Sequence, residues 1–534
     1  METSGTTADC YWQYLKSSCL NLDSDLSSHI AAILGATSWD NPTSALDLNN
    51  CAVVALVEAE NCQDSSLRGI YLEMAFDALS QGVELYSHPL CTAHLALVLA
   101  MTGESDRAIQ IASHSLINSL APAHVEEQAI SSGLVYVPPV TGLSNSRDEK
   151  LAQILQSQNG YSQALLLLSE VLCRSLLVFY NSSGLRFLHL AAQLYPQSAA
   201  INLKLGISSL VNYQWEGLLY LNRARQIAPD SATILQALYI AYRDLGQKET
   251  ASFWLSMGRD LSRNNSQSLD WRWTELEVDS LISYVPFENQ ILLAVEPSFR
   301  SIVTSVLIAE GDWFEKEMEF WRSWIKPGMT VIDVGANVGV YAFSAARRVG
   351  EQGCVLAVEP FSGCVRSLQE TCRVNELSWV RVCAGAASDR NGTVKLALHG
   401  ASELNEIVSS EAEATVKQGN FEEVPCFTLD SLIEQENVSQ VDFLKIDAEG
   451  HELPVLIGSE RILREFAPVI LYENIAGSKA SNSVVADFLE SKGYQLFRYQ
   501  PYLQQLIPIA SSEDLQGRLN IIAVPQDKSS VLSA

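Results

Sequence analysis

The chain has 534 residues, too many for one ordinary hydrophobic core, so two or three domains are expected. Apolar residues make up 47% of it, which excludes a largely disordered protein, and the net charge is −27 with both halves acidic. That balance leaves no cationic surface to displace counterions from phosphates, so no nucleic acid and no anionic membrane is expected as a partner.

The opening stretch METSGTTADCYWQYLKSS has no basic segment followed by an apolar one, so no secretory signal is expected. The greasiest run, Ala164 to Tyr180, carries Glu170 and Arg174 and is too short and too polar to form a membrane span. Eleven cysteines without a single C-x-x-C pair suit a reducing, cytoplasmic location.

Up to about Leu261 the hydrophobic period is helical, and it repeats. YPQSAAINLKL begins at Tyr195 and APDSATILQAL at Ala228, which places Pro196 and Pro229 in register 33 residues apart. Gly246 precedes Ala251 by the same spacing that separates Gly103 from Ala108. Small residues there let antiparallel helices approach, and Pro closes each unit because it cannot continue a helix. The pattern resembles the tetratricopeptide repeat, a stacked helix–turn–helix. It divides the first half into a helical region with weak repeats over 1–164 and tetratricopeptide-like repeats over 165–265. In the middle unit Tyr213 and Leu218 stand where small residues belong, so its helices are expected to pack less tightly or to cross differently.

A polar stretch at Leu261–Trp273 ends the helical period, and residues 266–280 read as a linker. A fragment from about Trp271 to Ala534 is therefore expected to fold alone. From about Ser283 short apolar strands alternate with helices, the mark of an α/β domain over 281–534 with a mainly parallel sheet. Strands are predicted at Val331–Val334, Val355–Glu359, Val380–Cys383, Phe443–Ile446 and Val469–Tyr472. A closing antiparallel pair is predicted in YQLFRYQ and LNIIAVP.

Ligands of an open parallel sheet bind beyond the carboxyl ends of its strands. TVIDVGANVGVYAFSAA puts Asp333, Gly335, Asn337 and Gly339 at that edge, where the glycines are expected to leave amides facing the crevice. Glu359, at the end of the next strand, is placed to accept ribose hydroxyls. The loop is G-x-x-x-G, not the G-x-G-x-x-G of a dinucleotide site, which counts against a nicotinamide oxidoreductase. There is no G-K-[ST] for a nucleoside triphosphate. An acidic residue just before the first glycine suits a ligand with an amino group and a sulfonium, and so points to S-adenosylmethionine.

Taken in order, VIDVGANVGVYAFSAA, VLAVEP, AASDRNG, FTLDSL, DFLKIDAEGHELPVLIG and PVILYEN resemble the FkbM family of S-adenosylmethionine-dependent methyltransferases, from about Lys326 to Pro525. The resemblance implies a class I, Rossmann-like, seven-strand methyltransferase fold that acts on hydroxyl oxygens of sugars, glycans or natural products. It also implies that Asp333, Gly335, Asn337 and Gly339 line the methionine end of the cofactor, Glu359 the ribose, and Ser388 with Asp389 the adenine. The family offers no role for the helical half, for which a protein partner or acceptor presentation is expected.

A hydroxyl is a weak nucleophile, so a positioned base should add ~10²–10⁴-fold to the rate. The candidates follow the fourth parallel strand: Asp447, Glu449 and His451, with Glu452 beside them and Glu473 at the tip of the fifth. HELPV lacks the second histidine of a zinc motif, and no metal is expected although carboxylates converge there. The alternative to an enzyme is an interaction scaffold with a weakly active or inactive methyltransferase domain. The intact Asp333–Gly339 loop and Glu359 argue against it.

Overall fold

Ser198 and Ser231 lie one repeat apart in sequence and do the same work in the fold. Each sits in extended backbone at a helix N-cap, and its hydroxyl accepts the amide three residues on, from Ile201 or Ile234. The helices they start, Ala199–Val211 and Ala232–Asp244, are thus offset by the same interval as Pro196 and Pro229.

The computed structural model describes residues 3–529 apart from 18–23, 63, 87, 120–129, 140–145, 158, 175–181, 264–267, 401, 403–404, 409–419 and 476–481. The chain forms two compact units, 1–212 with 501–505, and 213–500 with 506–534. No helix among the described residues is long and apolar enough to cross a membrane.

The first unit is built from α1 (Thr3–Ser17), α2 (Ser24–Ala36), α3 (Ala45–Asn61), α4 (Ser65–Tyr86), α5 (Pro89–Met101), α6 (Ser105–Ser119), α7 (Ser146–Gln156), α8 (Gly160–Arg174), α9 (Ser182–Leu194) and α10 (Ala199–Val211). Between them runs an irregular segment, buried from Ser132 to Pro138, whose main-chain groups are met by side chains. The Tyr11 hydroxyl accepts the Val135 amide at 3.1 Å and donates to its carbonyl at 2.9 Å. Tyr14 treats Val137 in the same way. Asn50 and Asn49 take the amide and the carbonyl of Leu134, and Gln163 pairs with both groups of Gly133. His94 Nε2 accepts the Tyr136 amide, so its Nδ1 carries the proton and donates to Asn49 Oδ1 at 2.8 Å. Burial holds this imidazole neutral, with its pKa depressed to about 4.

The division between units falls at the turn between Asn212 and Tyr213. Tyr213 there adopts φ 60°, as Gly246 does at φ 70° one repeat later, and its ring is exposed. The helices after it, α11 (Gly217–Ile227), α12 (Ala232–Asp244) and α13 (Lys248–Ser262), group with the C-terminal unit, not with the preceding repeats. Gln236 donates to Ser283 Oγ and the Tyr284 carbonyl, and Arg243 to the carbonyls of Val278 and Ser280. Asp244 accepts the Phe299 amide at 2.7 Å. The expected linker over 266–280 is, from Ser268 on, packed structure: Leu269–Glu275 is a 3-10 helix that buries Trp271 and Trp273. Trp273 stacks on Tyr239 and fills the space left by Gly258. The apolar pull of these two tryptophans outweighs the polar text before them.

After the hairpin β1 (Ser283–Phe287) and β2 (Ile291–Val295) come α14 (Ile302–Glu310) and α15 (Glu317–Trp324), then the main sheet. Its strands are β3 (Thr330–Val334), β4 (Cys354–Glu359), β5 (Val380–Ala384), β10 (Phe443–Ile446), β11 (Val469–Glu473), β12 (Tyr494–Gln500), β13 (Gln505–Pro508) and β14 (Asn520–Pro525). The order is β13-β12-β14-β11-β10-β3-β4-β5. The sheet has eight strands, one more than the expected seven, because the chain turns back after β12 and adds β13 at the edge. β5, β4, β3, β10 and β11 are parallel, while β14 runs antiparallel to both β11 and β12. β6 (Ala386–Ala387), β7 (Gly392–Leu398), β8 (Glu406–Val408) and β9 (Asn420–Phe427) form a separate four-stranded sheet that the sequence does not announce.

Alternation sorts the faces of the main sheet. Ile332, Leu356, Leu444 and Ile470 pack with residues of α18 (Leu429–Gln435), α19 (Glu452–Ile457) and α20 (Ser483–Ser491). On the other face, with α16 (Val340–Val349) and α17 (Ser362–Val374) near, Phe443 meets Trp321 edge to face at 4.7 Å. Because α12 and α13 supply partners to residues 273–299, a fragment covering 213–534 is expected to be soluble and to unfold cooperatively. One beginning at Trp271 should lack those partners, expose both tryptophans and aggregate or melt well below it. Circular dichroism melts of the two fragments make the comparison.

Candidate active site

In the parallel ladder of β3 and β10, Asp333 stands directly opposite Lys445. Both are buried, Asp333 at 0% exposure and Lys445 at 4%. The ammonium lies 3.6 Å from Asp333 Oδ1 and 3.0 Å from Asp447 Oδ2, and sits over the Tyr341 ring at 4.7 Å. Neither oxygen of Asp333 has a hydrogen-bond partner. Burial raises its pKa to about 6 against the pull of Lys445, with Asp447 adding to the rise. Tyr341 donates to Glu315 at 2.6 Å, and Asn520 donates to the same oxygen at 2.8 Å.

The glycine loop is closed on itself. The amides of Gly335 and Ala336 bond the Val358 carbonyl, that of Asn337 bonds Glu359 Oε2, that of Val338 bonds Asn337 Oδ1, and that of Gly339 bonds the Ala336 carbonyl. The expectation that these amides face the crevice is thus corrected, since each is spent on the end of β4 or within the turn. Gly335, at φ 72°, is required because a Cβ there would lie 1.7 Å from the Asp447 carbonyl oxygen. At Gly339 a Cβ would strike the Phe343 ring. Gly335 therefore serves close packing against the end of β10, and Gly339 serves the packing of the following helix.

Glu359, 6% exposed, accepts the Asn337 and Phe361 amides, each at 2.8 Å, one on each oxygen. Burial still lifts its pKa to about 7. Ser388 is buried, and its hydroxyl lies 3.2 Å from Asp389 Oδ1 and 3.0 Å from His451 Nε2. His451 is thereby engaged with Ser388. Burial lowers its pKa, with Asp389 opposing. Asp447, Glu449 and Glu473 come together, with one oxygen of each within 4.8 Å of the others. Glu449 lies at φ 50°, and burial followed by Asp447 raises its pKa to about 7. Glu452 is fully buried and accepts the amides of Ala448 and Gly450, so it holds the loop that carries Glu449.

Lys445, Tyr341 and Glu315 were not singled out by the sequence. A lysine inside the otherwise apolar strand FLKI is a signal for the first. Glu315 precedes a helix in irregular text and gives none. Around β8, residues 401, 403–404 and 409–419 lie outside the described residues.

Asp333 binds its proton more tightly folded, with a pKa of about 6, than unfolded, near ~3.9. Its ionisation therefore costs stability, a cost that is absent below about pH 4 and complete above about pH 6. Asp333→Asn is expected to melt higher than the wild type at pH 8, by up to ~2–3 kcal/mol, with the gap closing as pH falls through 6 toward 4. Melting curves of both proteins across pH 4–8 check this. A gap that is absent or independent of pH would contradict it.

Residues 333–496 match the family model described as the methyltransferase FkbM domain. No curated protein matches the chain. Among solved structures, a methyltransferase FkbM from Methylobacillus flagellatus KT is 15% identical, with 42% of this chain and 53% of that one covered and a TM-score of 0.25. This chain thus spans about half the length of that protein. A SAM dependent methyltransferase from Aquifex aeolicus is 16% identical over 39% of this chain and 87% of its own, with a TM-score of 0.23. MamA 41-end from Desulfovibrio magneticus RS-1 is 18% identical over 40% and 97%, with a TM-score of 0.25. The stretch that matches the methyltransferase FkbM domain model thus runs from the buried aspartate at the end of β3 to the middle of β12.

Proposed function

We propose that the C-terminal unit transfers a methyl group from S-adenosylmethionine to a hydroxyl oxygen of a sugar, glycan or natural product. Asp333 carries this reading. It is a fully buried carboxylate without a hydrogen bond, at the carboxyl end of parallel strands and within the matching stretch. A ligand with an amino group and a positive sulfur supplies the hydrogen-bond donor that this carboxylate lacks and adds to the charge of Lys445.

S-adenosylmethionine, when bound, supplies a methyl group on a sulfonium. The chain does the rest by placement. Asp333 holds the positive methionine end, beside the turn shaped by Gly335, Asn337 and Gly339. Glu359, already fixed by two amides, turns its remaining lone pairs to the ribose hydroxyls. Ser388 and Asp389 meet the adenine, and His451 joins them through Ser388. Asp447 and Glu449 face the acceptor, orient its hydroxyl and take its proton. A carboxylate raised to about 7 is well matched to that task near neutral pH. The helical unit brings the acceptor or a protein partner.

Calorimetry with S-adenosylmethionine tests the cofactor, and transfer of labelled methyl into a cell extract identifies the acceptor. Asp333→Asn should weaken cofactor binding by about 1–3 kcal/mol. Asp447→Asn should lower turnover by about 10²-fold while cofactor affinity stays within about threefold. A wild-type chain that binds no S-adenosylmethionine would refute the assignment, and parallel loss of affinity and turnover in Asp447→Asn would move that residue to the cofactor side.

A further inference from the structure

The three carboxylates after β10 and β11 pose a problem that methyl transfer alone does not answer. Oxygens of Asp447, Glu449 and Glu473 lie within 4.8 Å of one another, so three carboxyl groups share one small volume. Glu473, at the end of β11, is 9% exposed, and its buried Oε2 has no hydrogen-bond partner. A buried carboxylate oxygen without a donor is costly, by roughly 1–3 kcal/mol or more. Lys445 offsets only part of the charge, since it meets Asp447 through Oδ2 at 3.0 Å and is shared with Asp333. The loop is also fixed in place: Glu452 ties the amides of Ala448 and Gly450 and bonds Asn482 at 3.0 Å.

We propose that Asp447, Glu449 and Glu473 form a binding site for one hard divalent cation such as Mg²⁺, Mn²⁺ or Ca²⁺. The donor set is all carboxylate oxygen, with no cysteine and no imidazole, which selects hard cations over zinc. Three oxygens this close can meet a single ion at about 2.1–2.5 Å, and they leave roughly half of a six-fold shell for water or another oxygen ligand. The ion supplies the partner that the buried Glu473 oxygen lacks.

Cation binding stands on this geometry alone, whereas its role rests on the methyltransferase reading. In that role the ion holds the acceptor hydroxyl at an open position beside Asp447 and Glu449, and one of these carboxylates takes its proton. The oxygen–methyl bond then forms as the carbon–sulfur bond of the sulfonium breaks, which leaves a neutral thioether.

The full chain, stripped with a chelator, is titrated with Mn²⁺ while the free-ion electron paramagnetic resonance signal is followed, with Mg²⁺ and Ca²⁺ as competitors. A single saturable site is expected, together with a rise in melting temperature on loading. Glu473→Gln and Glu449→Gln, checked for folding by circular dichroism, should each weaken Mn²⁺ binding by about tenfold or more. Calorimetry with S-adenosylmethionine on the same wild-type preparation separates the two readings. Absence of saturable Mn²⁺ binding up to millimolar concentration overturns the cation site, as does unchanged binding in both variants. Mn²⁺ binding without cofactor binding keeps the site and overturns the methyltransferase reading.

Discussion

One ammonium group organises the ligand edge of the C-terminal unit. Lys445 reaches Asp333 at 3.6 Å and Asp447 at 3.0 Å, and its charge is also felt by Glu315. With an effective dielectric constant of about 20, each of the two close contacts is an attraction of roughly 5 kcal/mol before desolvation is counted. Burial opposes the charge on Lys445, but the surrounding carboxylates outweigh it, and its pKa is raised. The pairing also fixes register. Shifting β10 by one residue would turn Lys445 to the opposite face and put an apolar side chain beside Asp333. Removing the lysine would leave buried carboxylates facing one another, a loss of order 3–5 kcal/mol.

Even with Lys445 the edge is unbalanced. Asp333, Glu359, Glu449 and Glu473 all have raised pKa values, with burial the first cause in each case. A fold selected for stability alone would replace some of these groups by amides or apolar residues. Their presence, on strand ends and on a loop that Glu452 holds rigid, is the pattern of stability given up for ligand binding. The self-bonded glycine loop belongs to the same logic. With its amides satisfied by Val358, Glu359 and its own residues, it has one conformation, and a ligand meets a surface already formed.

Much of this was legible in the sequence. The parallel strands were found to within one residue at either end, because apolar, β-branched runs stand out between turns. Pro196 and Pro229 gave the repeat register that Ser198 and Ser231 confirm as caps. What escaped notice depended on distant pairing. Lys445 is plain in the text, but its meaning needs β3 beside β10. Gly335 suggested an approaching ligand, whereas the atom that approaches is the Asp447 carbonyl. The strands β7 and β9 were hidden because charged residues such as Lys395, Glu422 and Glu423 break their alternation. The packing of Trp271 and Trp273 against α12 and α13 was masked by the polar residues just before them.

The buried segment Ser132–Pro138 changes how the first unit must fold. A stack of helical repeats assembles from neighbours and can open piece by piece. Here Tyr11 bonds Val135 across 124 residues of sequence, and Asn49 bonds Leu134 across 85. These closures are non-local, so their loop entropy must be met before any of the bonds forms, which slows folding and makes it more nearly all-or-none. The amides of Gly133 to Val137, though in no helix or sheet, open only when α1, α3, α5 and α8 part together. Their hydrogen exchange therefore reports the global opening of the unit, and an irregular stretch of chain becomes its most cooperative element.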